Sequence, residues 1–595
     1  MNLSSSIKSI QDIMRKDDGV DGDAQRLGQL TWMLFLKVFD QREKEWEEQA
    51  EQENSNYISP IPNGYRWRDW AKMEIQSDGK KKHTKSSSEI IDFINNKLFP
   101  TLKEEIDPTE SNKHKVVKSV FEDANNYMKS GNLMLAVIEK IEDSVDIDDF
   151  KVRINLGDVY EQLLNDIRGA GNSGEFYTPR AITQFMVQMV NPRLDNHETV
   201  LDPACGTGGF LTASIDHFLT QDKRSRDEKL KDVEKLVFGF EKKQLPHLLC
   251  TTNMLIHGID IPDRITRMNT LGKPWNQWLE QEKKDCVITN PPFGGYEEDG
   301  VGTDYPSEIR TRETADMFMV LIIEKLLKDT GRAAVVLPDG FMFGEGIKAK
   351  VKEILLEKCN LHTVIRLPKG VFAPYTTIKS NLLFFTKGKR TESIWFYEHP
   401  YPNGYKSYSK TKPIRIEEFN AEKNWWGTEE NNFAERVESE IAWKVDFKAK
   451  REDALKIAQP YWNKAKQYRK EAKEKERKIQ QLKSDLKRLD KKEDDLGHRT
   501  QIEEEINHLT QEVENLFVQE KDAQNGGDRL YSSIYNLDIK NPNVSSEESH
   551  DPVLLLEKYL NLLDEIEETE NILKNELASV LAHRLHNNET IDAEE

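Results

Sequence analysis

The residues best suited to chemistry are Asn290, Pro291, Pro292 and Phe293, in the stretch DCVITNPPFGG at positions 285 to 295. An apolar, strand-like run meets two prolines, which lack a backbone N–H and fix φ, so the strand stops and a rigid corner follows. At that corner Asn290 offers an amide oxygen, Pro291 a carbonyl and Phe293 a flat face, while Gly294 and Gly295 let a second surface come close. Together they describe a pocket for a planar group that carries an amine. An Asn-Pro pair also begins many ordinary turns, so these residues by themselves leave the structural reading open.

A second cluster lies upstream in TVLDPACGTGGFL, residues 199 to 211. Its strand ends in Asp202, and Gly206, Thr207, Gly208 and Gly209 then form a turn into a helix, where backbone can approach a bound cofactor closely. No Gly-Lys-Ser/Thr follows, which excludes a phosphate loop, and the glycine spacing is not that of a dinucleotide fingerprint. The next strand, LVFGFE, ends in Glu241. A carboxylate at a strand's carboxyl end is placed to accept both hydroxyls of a ribose.

These clusters need a scaffold that brings strand ends together. From about residue 160 to 420 short apolar strands alternate with helices: ETVLDPAC, LVFGFE, CVITNPP, RAAVVLPDG, LHTVIRLP and SNLLFFTKG. Such alternation predicts crossover units and a mostly parallel, doubly wound α/β sheet with ligands at the strands' carboxyl ends. Residues 1–155 read as a helical domain, interrupted by a basic, serine-rich loop at 77 to 89, and residues 156–425 as the catalytic domain. Further on, Ile479, Leu482, Leu486 and Leu489 step by three and four, and Ile502, Ile506, Leu509, Val513 and Leu516 resume the rhythm. This predicts a coiled-coil helical hairpin over 447–525, closed near Gly526-Gly527. Residues 526–595 read as C-terminal partner-docking helices, with Leu555, Tyr559, Leu562 and Ile566 on one stripe.

Composition sets the outer bounds. At 595 residues the chain is too long for one domain, and a net charge of −20 argues against gripping nucleic acid by the overall field. The four cysteines form no C-x-x-C pair, so neither a zinc site nor a disulfide framework is indicated, and a reducing cytoplasm is expected. The early apolar run LTWMLFLKVF is far shorter than the roughly twenty residues that span a bilayer, so no membrane association is expected.

Five segments in order carry a family resemblance: GEFYTPR at 174 to 180, DPACGTGGF at 202 to 210, the acidic strand end at Glu241, TNPPFGG at 289 to 295 and ADMFMVLIIEKLL at 315 to 327. The chain resembles the modification (methylase) subunit of type I DNA restriction-modification systems, over about residues 1 to 420. NLDIKNPN at 536 to 543, with the helices after it, extends the likeness. The resemblance implies a Rossmann-like methyltransferase fold and S-adenosylmethionine as cofactor, with no metal. It places the methionine portion at the glycine turn and under Glu175, Phe176, Tyr177, Thr178, Pro179 and Arg180, and the ribose at Glu241. Asn269, in RMNTLG, matches only loosely as an adenine contact.

By the same resemblance the substrate amine belongs to adenine in double-stranded DNA. An exocyclic amine is a poor nucleophile because its lone pair is delocalised into the ring. Asn290 and the Pro291 carbonyl would each accept one amine hydrogen, and Phe293 would stack on the extruded base. Release-factor glutamine methyltransferases carry a similar tetrad but are much shorter and lack the flanking helical regions. A scaffold that has lost activity is disfavoured by the complete tetrad. No duplicated recognition region, helicase loop or nuclease motif is found. The target site is therefore expected to be chosen by a specificity subunit held between two methylase chains, and a restriction subunit to join for cleavage.

Overall fold

Among the described residues nine strands build one sheet: β1 (Val200–Asp202), β2 (Val237–Glu241), β3 (Ile265–Arg267), β4 (Lys284–Thr289), β5 (Leu327–Pro338), β6 (Cys359–Arg366), β7 (Ser380–Lys387), β8 (Ser393–Glu398) and β9 (Ala442–Asp446). Their spatial order is β9-β8-β6-β7-β5-β4-β1-β2-β3. The structure is a computed structural model that describes residues 3–75, 77, 81–144, 178–373, 376, 378–409, 411–489, 496–543 and 573. Strands β3, β2, β1, β4 and β5 run parallel. Strand β7 inserts antiparallel between β5 and β6, β8 runs parallel to β6, and β9 closes the edge antiparallel to β8. Central strands are buried on both faces, which is why Val287, Ile288 and Ala333 to Leu337 form near-continuous apolar runs. The last strand lies beyond residue 425, the expected end of the catalytic domain.

The helices that matter for the site are α2 (Arg180–Val190), α3 (Gly209–Leu219), α4 (Gln244–Ile256) and α5 (Thr314–Leu321), and α1 (Asp23–Gln52) anchors the N-terminal region. In α4 every residue from Pro246 to Ile256 is buried. Its apolar side chains point to more than one side, so it must be covered on more than one side. Cys250 and Met254 join the core of the sheet, whereas Leu248, Leu249, Leu255 and Ile256 join a second core with Trp32, Phe35, Phe39 and Phe121 of the N-terminal helices. One helix thus belongs to both cores, and Trp46 Nε1 adds a hydrogen bond to Asp260 Oδ1 at 2.8 Å.

Two sequence expectations need correction. The basic segment at 77 to 89 is not all loop: Lys81–His83 pairs antiparallel with Met73–Ile75. A helix then starts at Ser87, where the Ser86 N–H donates to Glu89 Oε2 at 2.8 Å, a capping interaction that satisfies the helix start. The hairpin also does not close at Gly526-Gly527, because α7 (Leu496–Ser532) runs through both glycines while packed on α6 (Phe447–Leu489). A Cβ on Gly526 would lie 3.2 Å from the Tyr461 ring, and one on Gly527 would lie 2.6 Å from Trp462 Nε1. The glycines allow the helices to approach, and Trp462 then donates to Asp528 Oδ1 at 2.9 Å. The ion pairs Arg469–Glu520, Lys475–Glu512 and Lys478–Glu505 fix the helices as antiparallel, over a seam of Ile479, Ile502, Ile506, Leu509 and Val513.

Candidate active site

Asp202, Glu241, Asn269 and Asn290 stand at or just past the carboxyl ends of β1, β2, β3 and β4, which are neighbours in the sheet, so all four line one cavity of about 720 Å³. That volume falls within the usual range for a small-molecule site. The glycine turn forms its floor. Gly206 and Gly208 have φ of +54° and +86°, a region most side chains avoid. At Gly208 a Cβ would also lie 2.8 Å from Cys250 Sγ, so only glycine lets the turn sit on α4. At Gly206 a Cβ would meet nothing within 4 Å, which leaves backbone open toward the cavity.

The Glu241 carboxylate holds this turn from the next strand. Its Oε2 accepts from Gly206 N at 3.0 Å and its Oε1 from Lys243 N at 2.7 Å. Asn253 of α4 donates through Nδ2 to the Thr207 carbonyl at 3.1 Å, and its Oδ1 is buried with no partner among the described residues. Asp202 is 1% exposed, and its Oδ1 accepts from Thr289 Oγ1 at 2.7 Å and Ala204 N at 3.1 Å. Burial pushes the Asp202 carboxyl up to about 7; the Thr289 and Ala204 hydrogen bonds oppose the rise and the nearby Glu241 charge adds to it.

At the tetrad, Asn290 Nδ2 donates to Thr178 Oγ1 at 2.9 Å. This orients the amide and leaves Asn290 Oδ1 buried without a partner among the described residues. A buried acceptor with no partner is costly in a folded protein unless a ligand group uses it. The Thr314 hydroxyl, at the start of α5, donates to the Pro292 carbonyl at 2.6 Å and so pins the corner from behind. Phe293 lines the cavity but is only 8% exposed, whereas Tyr296, three residues on at the rim, is 76% exposed. Asn269 Nδ2 donates to Glu297 Oε2 at 3.2 Å, and Glu297 also pairs with Lys242 at 3.1 Å.

Of the residues singled out in the sequence, Thr178, Arg180, Asp202, Gly206, Thr207, Gly209, Glu241 and the whole tetrad line this cavity. Pro179 caps α2, and Gly208 lies against α4 behind the floor. Glu175, Phe176 and Tyr177 lie outside the described residues. Thr289, Thr314 and Asn253 were missed by sequence reasoning. Thr289 directly precedes the tetrad, but its partner Asp202 is 87 residues away. Cys205 and Cys250 approach to 3.8 Å between sulfurs; that contact and burial hold the Cys205 thiol well above its ordinary range, so it packs as an apolar residue. No cluster of three or more metal-ligating side chains is present among the described residues.

The observed set suits a cationic ligand that carries hydrogen-bond donors. Two carboxylates face one cavity, backbone is open at Gly206, and buried acceptors at Asn253 and Asn290 await donors.

Comparison with known proteins gives concordant results. Residues 151–477 match the model of the N-6 DNA methylase family, and residues 3–141 match that of the HsdM N-terminal domain. The EcoEI type I restriction enzyme methylase subunit of Escherichia coli is 54% identical over 464 residues, covering 78% of this chain and 91% of that protein. The crystal structure of a modification subunit of a putative type I restriction enzyme from Vibrio vulnificus YJ016 is similar with a TM-score of 0.61 at 38% identity, covering 75% of this chain and 92% of that one. A chain from a type I R-M system, solved to explain complex assembly and conformational transition, gives a TM-score of 0.66 at 30% identity over 96% of this chain and 98% of its own. No helix among the described residues is long and apolar enough to cross a membrane.

Proposed function

This chain belongs to the N-6 DNA methylase family as a type I methylase subunit, and from that premise we propose which of its residues hold the cofactor and which act on the base. It is an adenine-specific DNA methyltransferase, and within a type I restriction-modification complex it protects host DNA at a site chosen by a separate specificity subunit. S-adenosylmethionine supplies, when bound, the electrophilic methyl group. Asp202 faces the cofactor's positive charge, the backbone from Gly206 to Gly209 carries its methionine end together with Thr178 and Arg180, and Glu241 accepts from its ribose. Glu241 Oε2 and Oε1 accept from the Gly206 and Lys243 backbone N–H groups, and these bonds hold the carboxylate at the cavity.

The buried, partnerless Asn290 Oδ1 is the observation that carries the reading. It accepts one hydrogen of the adenine amine and the Pro291 carbonyl accepts the other. The nitrogen lone pair is thereby drawn out of conjugation. Thr178 keeps the amide oriented and Thr314 keeps the corner fixed, so the acceptors need not reorganise during transfer. The Phe293 ring forms the wall on which the extruded base stacks, a contact worth about 1–3 kcal/mol per base.

Cofactor and base contacts should separate by mutation. Glu241→Gln should weaken cofactor binding about tenfold, the lower end for a hydrogen bond to a charged group, with DNA affinity of the assembled complex unchanged. Phe293→Ala should show the reverse pattern. Calorimetric titration of cofactor into each variant decides, and equal cofactor affinity for wild type and Glu241→Gln would remove Glu241 from the site.

In the working complex we place two copies of this chain around one specificity subunit in the cytoplasm, with the C-terminal region beyond α7 making the docking contact and a restriction subunit joining for cleavage. The support is the likeness over nearly the full length to a chain of an assembled type I system. The mass of the purified complex should correspond to two methylase chains per specificity chain. A one-to-one mass would overturn that arrangement.

A further inference from the structure

The charges of the α6–α7 hairpin are segregated. Helix α6 carries fifteen basic and six acidic residues, and α7 carries three basic and eight acidic ones, in a chain whose net charge is −20. Cations of α6 that face α7 are consumed there, in the pairs Arg469–Glu520, Lys475–Glu512 and Lys478–Glu505. Lys466, Lys470, Lys473 and Arg477 are different. They recur at steps of four, three and four, all are exposed, and they lie on the side of α6 opposite Ala465, Ala472 and Ile479, which are buried. None of the four makes a side-chain hydrogen bond or ion pair among the described residues.

From this geometry we propose that the outer face of α6 is a docking track for the phosphate backbone of duplex DNA. The inference rests on the reading that the protein acts on DNA, and it adds a contact surface outside the catalytic cavity. From Lys466 through Arg477 the face continues by way of Gln480 and Ser484 to Arg488, a rise of about 33 Å, close to one helical turn of duplex. A protein helix docking on this face would need apolar anchors at helical spacing. There are none: the outward positions from Asn463 to Arg488 are all polar or charged. Lysine and arginine spaced along a straight rod suit a line of phosphates, and the acidic α7 on the far side directs the DNA to α6 alone. A merely solvated helix would be expected to balance its outer cations with carboxylates three or four residues away. Between Lys466 and Arg477 the outward face carries one carboxylate, Glu474, and among the described residues it forms no ion pair with Lys470 or Arg477; Arg488, at the far end of the track, pairs with Asp485 at 3.6 Å.

The test uses the full methylase–specificity complex and a duplex that lacks the target sequence. The variant Lys466→Gln, Lys470→Gln, Lys473→Gln and Arg477→Gln keeps good helix formers at exposed positions, so the hairpin should persist. The slope of log affinity against log salt should become shallower by roughly three to four, near one per lost phosphate contact, and affinity at physiological salt should fall more than tenfold. Methylation at saturating DNA should be unchanged. A second variant, Gln480→Lys with Ser484→Lys, should steepen the slope by about two. An unaltered slope and affinity in both variants overturns the proposal. So does loss of assembly with the specificity subunit at an unaltered slope, which would make the face a protein-docking surface. The Asn290→Ala complex separates this question from the site assignment, since it should lose methylation and keep the wild-type slope.

Discussion

Replacing Asn290 by alanine should slow methylation by about two to three orders of magnitude, on the order of 2.7–4 kcal/mol, which is the usual loss when one preorganised polar contact to a transition state is removed. The site is built so that this loss has no substitute. Asn290 Oδ1 is buried and has no partner among the described residues, while Nδ2 is held by Thr178, which fixes the amide's orientation. Alanine leaves the amine with the Pro291 carbonyl alone, and its lone pair stays conjugated with the ring. Cofactor affinity should be preserved, because Asp202 and Glu241 are untouched. Asn290→Asp keeps an oxygen toward the cavity and can accept from Thr178, whose hydroxyl is donor as well as acceptor. It should therefore retain more activity than alanine. Single-turnover rates in the assembled complex measure both, and two variants that methylate at the wild-type rate would show that the acceptor role belongs elsewhere.

The cavity's two contiguous segments were legible in sequence: Asn290 to Phe293 and Gly206 to Gly209 each lie on one strand end and the turn after it. The sheet that aligns them was legible because buried strands read as apolar runs between helices. What escaped were long-range partners. Thr289 is one β-branched residue in a strand, and nothing local shows that its hydroxyl bridges to Asp202. Thr314 similarly looks like a helix start until the fold brings Pro292 beneath it. Gly526 and Gly527 misled for a related reason. A glycine pair signals a turn when read locally, but Tyr461 and Trp462, some 65 residues upstream, occupy the space their side chains would need. Glu241 shows the same limit in milder form, for its placement at a strand end was readable while its bond to the Gly206 N–H was not.

Cofactor affinity should rise with pH until about 7 and then level off, with Asp202 as the group responsible. Its carboxyl is pushed up to about 7 by burial in the cofactor-free protein. Because this folded value exceeds that of an ordinary aspartate, the folded chain holds a proton between about pH 4 and 7 that the unfolded chain has released. Cofactor-free stability contributed by this group therefore falls as pH rises through that window. A cationic cofactor acts in the opposite sense, since it prefers the ionised carboxylate. Binding below pH 7 must then expel the Asp202 proton, and affinity should gain about tenfold per pH unit up to the plateau. If the bound charge lowers the carboxyl by about two units, the coupling amounts to roughly a hundredfold. Asp202→Asn keeps an acceptor for Thr289 and Ala204 but cannot ionise, so its affinity should be flat with pH and about a hundredfold weaker at pH 8. Thr289→Val removes a hydrogen bond that holds the carboxyl down and should move the plateau to higher pH. Calorimetric titrations at pH 6 and 8, in buffers of different ionisation enthalpy, read both affinity and proton release. Wild-type protein that binds cofactor equally at the two values, with no proton released at pH 6, would mean that Asp202 does not face the cofactor's charge and only closes the floor beneath the glycine turn.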